Sequence, residues 1–584
     1  MNEVIESIKK YVRAANYLTV SQIYLQDNFL LDKKLTSTDI KPKLFGHWGT
    51  CPGVNFVYGN LNYLIKKHNQ SAVFVLGPGH GFPGLQANLF LEGTLEKYYK
   101  DAKRSEEGIG YLSKKFSWPY GFSSHSNPEA PGLILEGGEL GYSLSTAYGA
   151  ILDNPDLLAV CLIGDGEAET GPLAASWHIN KLIDPASNGS VLPILHLNGY
   201  KISGPTIFGR MSDVELMNLF SGYGYEPFFV EGENDEIYEK MLETLEVCYR
   251  KIQDSKKSKI TPPRLPMIIL KTPKGWTTIK ELRGQNIEGT ILSHQVVMPN
   301  VRNDNEELEA LEKWLSSYQF EELFDKKTGF SKEILDLIPQ DSLRMGDNPH
   351  MFGKKYKDLI LPDNKKFEKA VDKPGYLQSN SMRLAGAYLR DIFSLNEGQK
   401  NFRLMSPDET YSNRLDDVFA STNRAFVWPI DPNDKDIDRT GRVMEMLSEH
   451  NMHGLAQGYV LTGRHSVFTT YEAFAQIFSS MAHMYVKFLK YVRDTSWRED
   501  VASMNYLLTS TVWRQEHNGF SHQNPSFISG MLEKQNDFIK VYFPIDENTM
   551  LAVISETLSS KNQINTIVAG KTPLLNWLSF DKAK

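Results

Sequence analysis

The sequence predicts an α/β protein in which mostly parallel sheets are flanked by helices. Two observations carry this prediction. From about residue 70 to 300, short apolar runs rich in β-branched residues alternate with helical patterns, as expected of a parallel sheet covered by helices. A second pattern of the same kind follows after about residue 377. At 584 residues the chain is also too long for a single hydrophobic core.

Four apolar runs are predicted as strands of the first sheet: SAVFVLG (71–77), LLAVCLIG (157–164), VLPILHLNG (191–199) and LPMIILKTPKG (265–275). Between the second and third runs, TGPLAASWHINKLI has the length of a helix, and Thr170 is a suitable cap for its start. This segment therefore completes a βαβ unit. The N-terminal stretch 1–18 is predicted as an amphipathic helix, because Glu3 and Glu6 interrupt its apolar positions.

Residues 325–376 are rich in Asp, Lys, Gly and Pro and contain no long apolar run, which is typical of an interdomain connection. We predict a first domain over 1–350, a linker over 351–376 and a second domain over 377–584. The second domain is predicted to contain helices at 382–395 and 471–492 and strands at 401–409, 504–511 and 564–571.

Composition argues against several classes of partner. The net charge is −8 and no dense basic block occurs, so nucleic acid and anionic membranes are poor candidates. No apolar run approaches the roughly 18 residues of a membrane span, and the N-terminus lacks a secretory pattern, so we predict a cytoplasmic protein. Cys51, Cys161 and Cys248 are too few for a disulfide framework and are predicted to be reduced core thiols.

The segment GDGEAE (164–169) ends the second predicted strand. Asp-Gly is a common turn dipeptide, and a simple turn is one interpretation. The other is a metal and diphosphate site, because ligands bind at the carboxyl ends of parallel strands and Asp offers Mg²⁺ a hard oxygen. Asn198 ends the next strand, so it is predicted to lie at the same edge as Asp165 and to share an ion with it.

Histidines recur beside Gly, Pro, Ser or Asn, where strands end and loops begin. They lie in GHWGT (46–50), GPGHGFPG (77–84), SSHSNP (123–128), LSHQV (292–296) and QEHNGFSH (515–522). A single histidine of this kind is more often an ordinary loop residue. Because five such segments fall at the predicted loop edge, they favour a shared polar site.

Many longer segments resemble the thiamine-diphosphate-dependent phosphoketolases. They include GHWGTCPGVNFVYGNLN, GPGHGFPGLQANLFLEGT, EGGELGYSLSTAYGA, GDGEAETGPLAASWHINK, KTPKGW, SPDETYSNRL, GRVMEMLSEHN, LTGRHSVFTTYEAF, WRQEHNGFSHQNP and IVAGK. They occur in order from about residue 41 to 578. The resemblance implies a transketolase-like fold with a diphosphate-binding first domain and an aminopyrimidine-binding second domain. It also implies a homodimer with active sites at the subunit interface.

The resemblance implies thiamine diphosphate and Mg²⁺ as cofactors. Asp165, Asn198 and the Tyr200 carbonyl would hold the metal. The cofactor would be bound by Gly138, Glu139, Leu140, Gly166, Glu167, Lys274 and Tyr471. Glu449 matches the glutamate that hydrogen-bonds the pyrimidine ring and promotes its proton relay. From the residues alone, an exposed carboxylate at a helix start was the simpler interpretation of Glu449, and core packing that of Tyr471.

The implied reaction cleaves xylulose 5-phosphate, and possibly fructose 6-phosphate, into an aldose phosphate and acetyl phosphate. A loss of water within this reaction needs a general acid, for which imidazole is suited. The catalytic residues implied, besides Glu449, are His47, His80, His125, His294, His522 and Gln515. The phosphate ligands implied are Ser412, Arg414, His517, Asn518 and Lys571.

Phosphoketolases continue into a third, C-terminal domain, whereas this sequence stops soon after Lys571. We therefore expect that domain to be absent. The alternative hypothesis is a degenerate or truncated homologue that binds the cofactor but has little activity without a C-terminal domain.

Overall fold

The first half of the chain is built around one parallel sheet. The structure, a computed structural model, describes residues 2–258, 260–351, 353–510, 519–534 and 536–584. The sheet contains β1 (Ser71–Leu76), β2 (Leu157–Gly164), β3 (Ser190–Leu197), β4 (Tyr225–Val230) and β5 (Leu265–Lys271), in the order β1-β2-β3-β5-β4. All its pairs are parallel. Nearly every strand residue is buried, as expected of a sheet covered on both faces.

Helices surround this sheet. They are α1 (Asn2–Tyr24), α2 (Cys51–His68), α3 (Phe82–Leu91), α4 (Thr94–Tyr98), α5 (Glu106–Lys115), α6 (Ser143–Ile151), α7 (Gly171–Ser176), α8 (Asp213–Gly222), α9 (Asp235–Lys257), α10 (Asn305–Ser317) and α11 (Lys332–Leu337). Short antiparallel ladders lie between them: β6 (Glu281–Leu282) with β7 (Gln285–Asn286), and β8 (Phe324–Asp325) with β9 (Gly329–Phe330).

A second, wider parallel sheet forms the other half. Its strands are β11 (Phe402–Ser406), β12 (Arg424–Ala425), β13 (Ile437–Asp438), β14 (Val443–Glu445), β15 (His465–Tyr471), β16 (Met504–Thr509), β17 (Ile539–Tyr542) and β18 (Ile564–Ala569). Their order is β13-β12-β14-β11-β15-β16-β18-β17. A short pair, β10 (Gln378–Ser379) with β19 (Leu574–Leu575), lies apart from it. The helices are α12 (Ser381–Leu395), α13 (Glu449–Leu461), α14 (Ser479–Asp494), α15 (Ser526–Leu532), α16 (Glu547–Ser559) and α17 (Phe580–Ala583).

The predicted α/β class with two parallel sheets is confirmed, but the prediction around Tyr471 is wrong. The sequence suggested a helix over 471–492, whereas Tyr471 ends β15, residues Glu472–Phe478 form 3₁₀ turns and α14 begins at Ser479. The strand was missed because all seven of its residues are buried, so no alternation marked it. The segment after Thr170 is also divided, into α7 and a 3₁₀ stretch over Trp177–Leu182.

The two halves share one hydrophobic core. A single cluster of buried residues includes Val73 and Cys161 from the first sheet and Met405, Phe468 and Tyr506 from the second. At its centre α6 packs on α13. The chain contributes glycines at this crossing: a Cβ at Gly149 would overlap the Leu455 carbonyl oxygen, and one at Gly458 would overlap that of Thr146. This close approach fixes the start of α13, and therefore Glu449, relative to the first half.

The three cysteines are buried and free, which confirms the prediction of reduced core thiols. Over the described ranges, no helix has both the length and the apolar character needed to cross a bilayer.

Lys41 is a buried lysine with no acidic partner among the residues that the structure describes. It is 3% exposed, and its Nζ donates to the carbonyl oxygens of Gln22 and Phe116 at 2.6 and 2.9 Å. Burial lowers the pKa of this ammonium from 10.5 to about 7. The unfolded chain therefore binds one proton more than the native chain between about pH 7 and 10.5, so stability rises with pH in that window.

We expect Lys41→Met to remove this dependence. The urea midpoint of the wild-type chain should rise from pH 7.5 to 9 relative to the variant, by the equivalent of about 1.4 kcal/mol per pH unit. Lys313→Met, at an exposed position of α10, is the control and should follow the wild type. Parallel curves for Lys41→Met and the wild type would contradict the assignment.

Candidate active site

Asp165 stands at the carboxyl end of β2 and is buried, 2% exposed. Its Oδ2 accepts hydrogen bonds from the Gly199 amide at 2.7 Å and the Thr206 hydroxyl at 2.9 Å, and its Oδ1 accepts from the Gly166 amide at 3.0 Å. Burial raises the pKa of Asp165 and these donors oppose the rise. Since a carboxylate offers about four acceptor positions, one remains for a cation.

The loop after β3 lies beside Asp165, as the strand order predicts. Gly164 and His196 are paired in the parallel ladder, so the residues after them meet at one edge. Asn198 is buried and its Oδ1 accepts from the Tyr200 amide at 3.2 Å. The Lys274 ammonium donates to the Tyr200 carbonyl at 2.7 Å, which uses one of the two acceptor positions of that carbonyl and leaves the other for a second cation.

Glu167 ties the turn after β2 to the segment before α6. Its Oε1 accepts from the Ser143 hydroxyl at 2.6 Å and from the Gly141 amide at 3.3 Å. Burial raises the pKa of this carboxyl to about 7, against the lowering effect of those donors. A side chain at Gly77 would collide with Glu167, so the glycine after β1 is needed for this arrangement.

Four of the predicted histidines gather at the same edge. The His47 ring lies 5.3 Å from His80, 5.2 Å from His125 and 5.4 Å from His294, measured between ring centroids. They come from four separate loops, and His80 lies in the turn after β1. Because these histidines are far apart in the sequence, the fold brings them together at this edge.

These imidazoles are held neutral near pH 7. Burial lowers the pKa of His47 to about 4 and that of His294 to about 3, with the Lys274 ammonium adding to both shifts. Burial also lowers the pKa of His80 and of His125. Nδ1 of His47 and Nδ1 of His294 are buried without a hydrogen-bond partner among the described residues. The cluster therefore offers neutral imidazoles with unused hydrogen-bonding capacity.

These groups border one cavity of about 300 Å³, which we call the histidine cavity. Its lining residues are His47, Thr50, Pro78, His80, His125, Gly137, Gly138, Leu140, Gly164, Asp165, Gly166, Glu167, Asn198, Tyr200, Lys201, Ile202, Lys274 and His294. Twelve of the predicted site residues are in this set. Glu139 is outside it, half-buried and hydrogen-bonded by the Tyr142 hydroxyl at 3.4 Å.

The lining fits a metal-bound diphosphate. Four glycines bring backbone close to the cavity, and backbone N–H groups and lysine suit phosphate oxygens. Asp165, the Asn198 amide and the Tyr200 carbonyl offer the hard oxygens that Mg²⁺ prefers. Over the described residues no group of three or more His, Cys, Asp or Glu side chains forms a metal site. The predicted magnesium ligands are not a group of this kind, because Asp165 is the only one of these four residue types among them.

A second group of predicted residues lies at the carboxyl edge of the second sheet. The Lys571 ammonium is 3.9 Å from the centroid of the Tyr471 ring, which is within cation–π range. His522 lies 5.8 Å and Phe474 5.7 Å from the same ring. None of these four residues lines the histidine cavity of the same chain.

Glu409 belongs to this second group, and sequence reasoning missed it. Its Oε2 accepts from the Tyr471 amide at 2.9 Å. Burial raises the pKa of Glu409 to about 7, and the negative charge of Glu449 adds to the shift. Glu409 lies in the SPDETYSNRL segment, where a carboxylate at the end of a predicted strand was the available signal.

Glu449 is the first residue of α13, after the Ser448 cap. The interpretation as an exposed helix-start carboxylate is right about the helix start and wrong about the exposure, because Glu449 is half-buried and burial raises its pKa.

The predicted phosphate ligands are only partly gathered. Ser412 donates to the Glu409 carbonyl at 3.2 Å, and Arg414 is exposed with a φ of 62°. Gln515, His517 and Asn518 lie outside the described residues.

Two family models match the chain. The one described as "XFP N-terminal domain" matches residues 1–356. The one described as "D-xylulose 5-phosphate/D-fructose 6-phosphate phosphoketolase" matches residues 383–560.

Similar curated proteins match over almost the whole chain. A probable phosphoketolase of Bradyrhizobium diazoefficiens is 49% identical over 99% of this chain and 73% of its own length. Probable phosphoketolase 2 of Rhizobium meliloti is 50% identical over 98% of this chain and 74% of its own length. The chain spans about three quarters of the length of these relatives, and the expectation of an absent C-terminal domain is not supported by these matches.

Solved structures with the same fold are transketolases. The enzyme of Pichia stipitis in complex with sedoheptulose 7-phosphate has a TM-score of 0.65, with 15% identity over 100% of this chain and 80% of its own. That of Campylobacter jejuni has a TM-score of 0.62, with 16% identity over 99% and 79%. They establish a transketolase-like fold, which confirms the predicted fold class.

Proposed function

Since the chain belongs to the D-xylulose 5-phosphate/D-fructose 6-phosphate phosphoketolase family, we propose that it cleaves xylulose 5-phosphate with inorganic phosphate. The products would be acetyl phosphate and glyceraldehyde 3-phosphate; fructose 6-phosphate would give erythrose 4-phosphate instead. The observation that carries the proposal is the histidine cavity, which joins a diphosphate-type turn to four neutral imidazoles.

The proposed cofactors are thiamine diphosphate and Mg²⁺. Thiamine diphosphate, when bound, supplies a nucleophilic carbon and an electron sink for cleavage of the bond beside a ketone. Asp165, Asn198 and the Tyr200 carbonyl would hold the metal. Lys274 and the backbone around Gly138, Leu140, Gly166 and Glu167 would bind the diphosphate end. Glu139, which lies outside the cavity lining, would support this part of the site.

His47, His80, His125 and His294 would bind the sugar hydroxyls and exchange protons with them. A neutral imidazole can accept a hydrogen bond at one nitrogen and donate at the other, so the cluster can orient a polyhydroxylated substrate without adding charge. His47 is the most central of the four, since three rings lie within 5.4 Å of it. We assign His47 and His522 to loss of the departing hydroxyl as water: an imidazole that is neutral at rest would first take a proton from a substrate hydroxyl and then return it to the departing one.

Tyr471 would stack on the aminopyrimidine ring, and Glu449 would hold the proton on that ring. A carboxyl with a raised pKa is suited to donating a hydrogen bond. Glu409 fixes the Tyr471 backbone at 2.9 Å. Lys571, with Ser412, Arg414, His517 and Asn518, would receive inorganic phosphate, for which cations and polar donors are needed. Gln515 would act beside the catalytic histidines.

The direct test is acetyl phosphate formation from xylulose 5-phosphate, phosphate, Mg²⁺ and thiamine diphosphate, with fructose 6-phosphate assayed in parallel. Product that depends on all four components is expected. A folded protein that binds the cofactor and yields no product would favour the alternative function, a degenerate homologue that needs a C-terminal domain for activity.

We further propose that the active unit is a homodimer whose sites combine the first half of one subunit with the second half of its partner. Support comes from the separation within one chain, because Tyr471, His522 and Lys571 do not line the histidine cavity. The domain division at 1–350, 351–376 and 377–584 and a cytoplasmic location are parts of the same proposal.

Subunit complementation tests the shared site. His47→Ala and Glu449→Gln chains, co-expressed with different tags and purified through both, form heterodimers with one doubly altered site and one unaltered site. Such dimers should recover about half the wild-type activity. Heterodimers of His47→Ala with His80→Ala are the control and should stay inactive, since both sites carry a change. Inactivity of the first pair would mean that each site is built from one chain.

A further inference from the structure

A second cavity lies at the opposite edge of the second sheet. This cavity of about 210 Å³ is lined by Lys400, Thr422 and Arg442 from the second half, and by Asp153 and Ser187 from the first. We call it the amino-end cavity. β11 begins at Phe402 and β14 at Val443, so the cavity lies at the amino ends of these strands, whereas Glu409 and Glu449 follow their carboxyl ends.

Arg442 is the unusual group of this cavity. It is 4% exposed, and its Nη2 donates to the Phe393 carbonyl at 2.8 Å and to Glu397 at 2.5 Å. Its Nη1 is buried and has no hydrogen-bond partner among the residues that the structure describes. A buried guanidinium N–H without an acceptor is costly, so a ligand that offers Arg442 an acceptor would stabilise the protein.

The acids of the lining do not supply it. Asp153 is bound by Arg403 through two hydrogen bonds of 2.8 Å and by the Tyr459 hydroxyl at 2.7 Å. Asp438 Oδ1 accepts from the amide and the hydroxyl of Thr440. Glu397 already pairs with Nη2, and its side chain is 63% exposed. Each acid therefore already accepts hydrogen bonds from another group or is screened by solvent.

The lining of the amino-end cavity still contains hydrogen-bond donors. Lys400 lines the cavity and supplies an ammonium group. The Thr422 hydroxyl accepts from the Arg442 amide at 3.0 Å, which leaves its own hydrogen available for donation. Together with Arg442 Nη1, these groups form a set of two cations and one hydroxyl, which is the chemistry that recognises oxyanions.

We propose that the amino-end cavity binds a compact oxyanion, a phosphate group or a small carboxylate, between Lys400 and Arg442. The volume is below the roughly 300 Å³ at which pockets for drug-sized ligands begin, so a larger molecule would present only its anionic end. Because Asp153 and Ser187 belong to the first half, the bound anion would stabilise the contact between the halves. This inference does not depend on the proposed reaction.

The test is anion-dependent stabilisation at constant ionic strength, with inorganic phosphate and malonate as probes and chloride as the reference. A saturable rise of the thermal midpoint is expected. Lys400→Gln and Thr422→Val should each weaken the apparent affinity about tenfold, and Arg442→Gln should abolish the response if it folds. Lys313→Gln, an equal change of charge on α10, should leave the response intact.

To separate this response from phosphate binding at the proposed active site, the measurement is repeated in a Lys571→Gln background, in which the rise of the thermal midpoint should persist. A response to phosphate but not malonate identifies a phosphate group as the ligand, and the reverse identifies a carboxylate. A response equal in Lys400→Gln, Thr422→Val and wild type would overturn the proposal. So would the absence of a saturable rise with either probe.

Discussion

Replacing Glu449 by glutamine is expected to lower acetyl phosphate formation by about 10²–10⁴-fold, the usual contribution of a positioned acid or base. Glutamine has the same size and can still form hydrogen bonds, but it cannot exchange a proton with an aminopyrimidine ring. Because Glu449 is half-buried at the start of α13 and makes no ion pair among the described contacts, the fold should be retained. The measurement is the steady-state rate at saturating thiamine diphosphate and Mg²⁺.

Glu236→Gln is the matched control, since Glu236 also lies in the first turn of a helix, α9, but is exposed. It should keep wild-type activity. Cofactor binding by the Glu449→Gln variant is measured by the quenching of tryptophan fluorescence. This measurement distinguishes a loss of chemistry from a loss of cofactor binding. A Glu449→Gln enzyme within threefold of wild type would exclude the proposed role of this carboxyl.

The largest expected loss of stability follows from Asp153→Asn. Asp153 and Arg403 form a bidentate pair in the core, with side chains 3% and 4% exposed. Burial alone would raise the pKa of Asp153, but the Arg403 guanidinium holds it below its ordinary value. Removal of the carboxylate leaves a buried guanidinium uncompensated, which costs about 3–5 kcal/mol. The urea midpoint should fall accordingly.

Asp391→Asn provides the comparison, because Asp391 pairs with Arg390 at the same 2.7–2.8 Å range but near the surface. Its cost should stay within about 1 kcal/mol. The double variant Asp153→Asn/Arg403→Met should regain part of the lost stability, since no charge is left unpaired. Equal losses for Asp153→Asn and Asp391→Asn would show that burial of the first pair has no energetic weight.

The histidine cavity could be predicted because the ends of buried strands can be recognised in the sequence. LLAVCLIG and VLPILHLNG are continuous apolar runs, and the rule that parallel strands present their carboxyl ends at one edge brings Asp165 and Asn198 together. The resemblance then assigned roles to residues, such as His125 and His294, whose loops have no local signal that relates them. Their proximity depends on how four connections cross the sheet edge.

Other features could not be read in advance. β15 was missed because its uniform burial between two other strands removes the alternation that marks half-exposed strands. Glu409 was passed over because a carboxylate in a polar segment is usually solvated, and only the fold reveals its burial beside Tyr471. The amino-end cavity is equally invisible in the sequence, since it arises where residues 153 and 442 meet.

The glycine-lined crossing of α6 and α13 has a consequence for dissecting this protein. The two halves do not meet at a hydrated hinge. They share a buried helix–helix contact in which the backbone of α6 packs closely on the backbone of α13. A protease cut within residues 353–376 should therefore leave two fragments that travel together through gel filtration. Expression of either half alone would expose this buried contact surface, and the product should be insoluble.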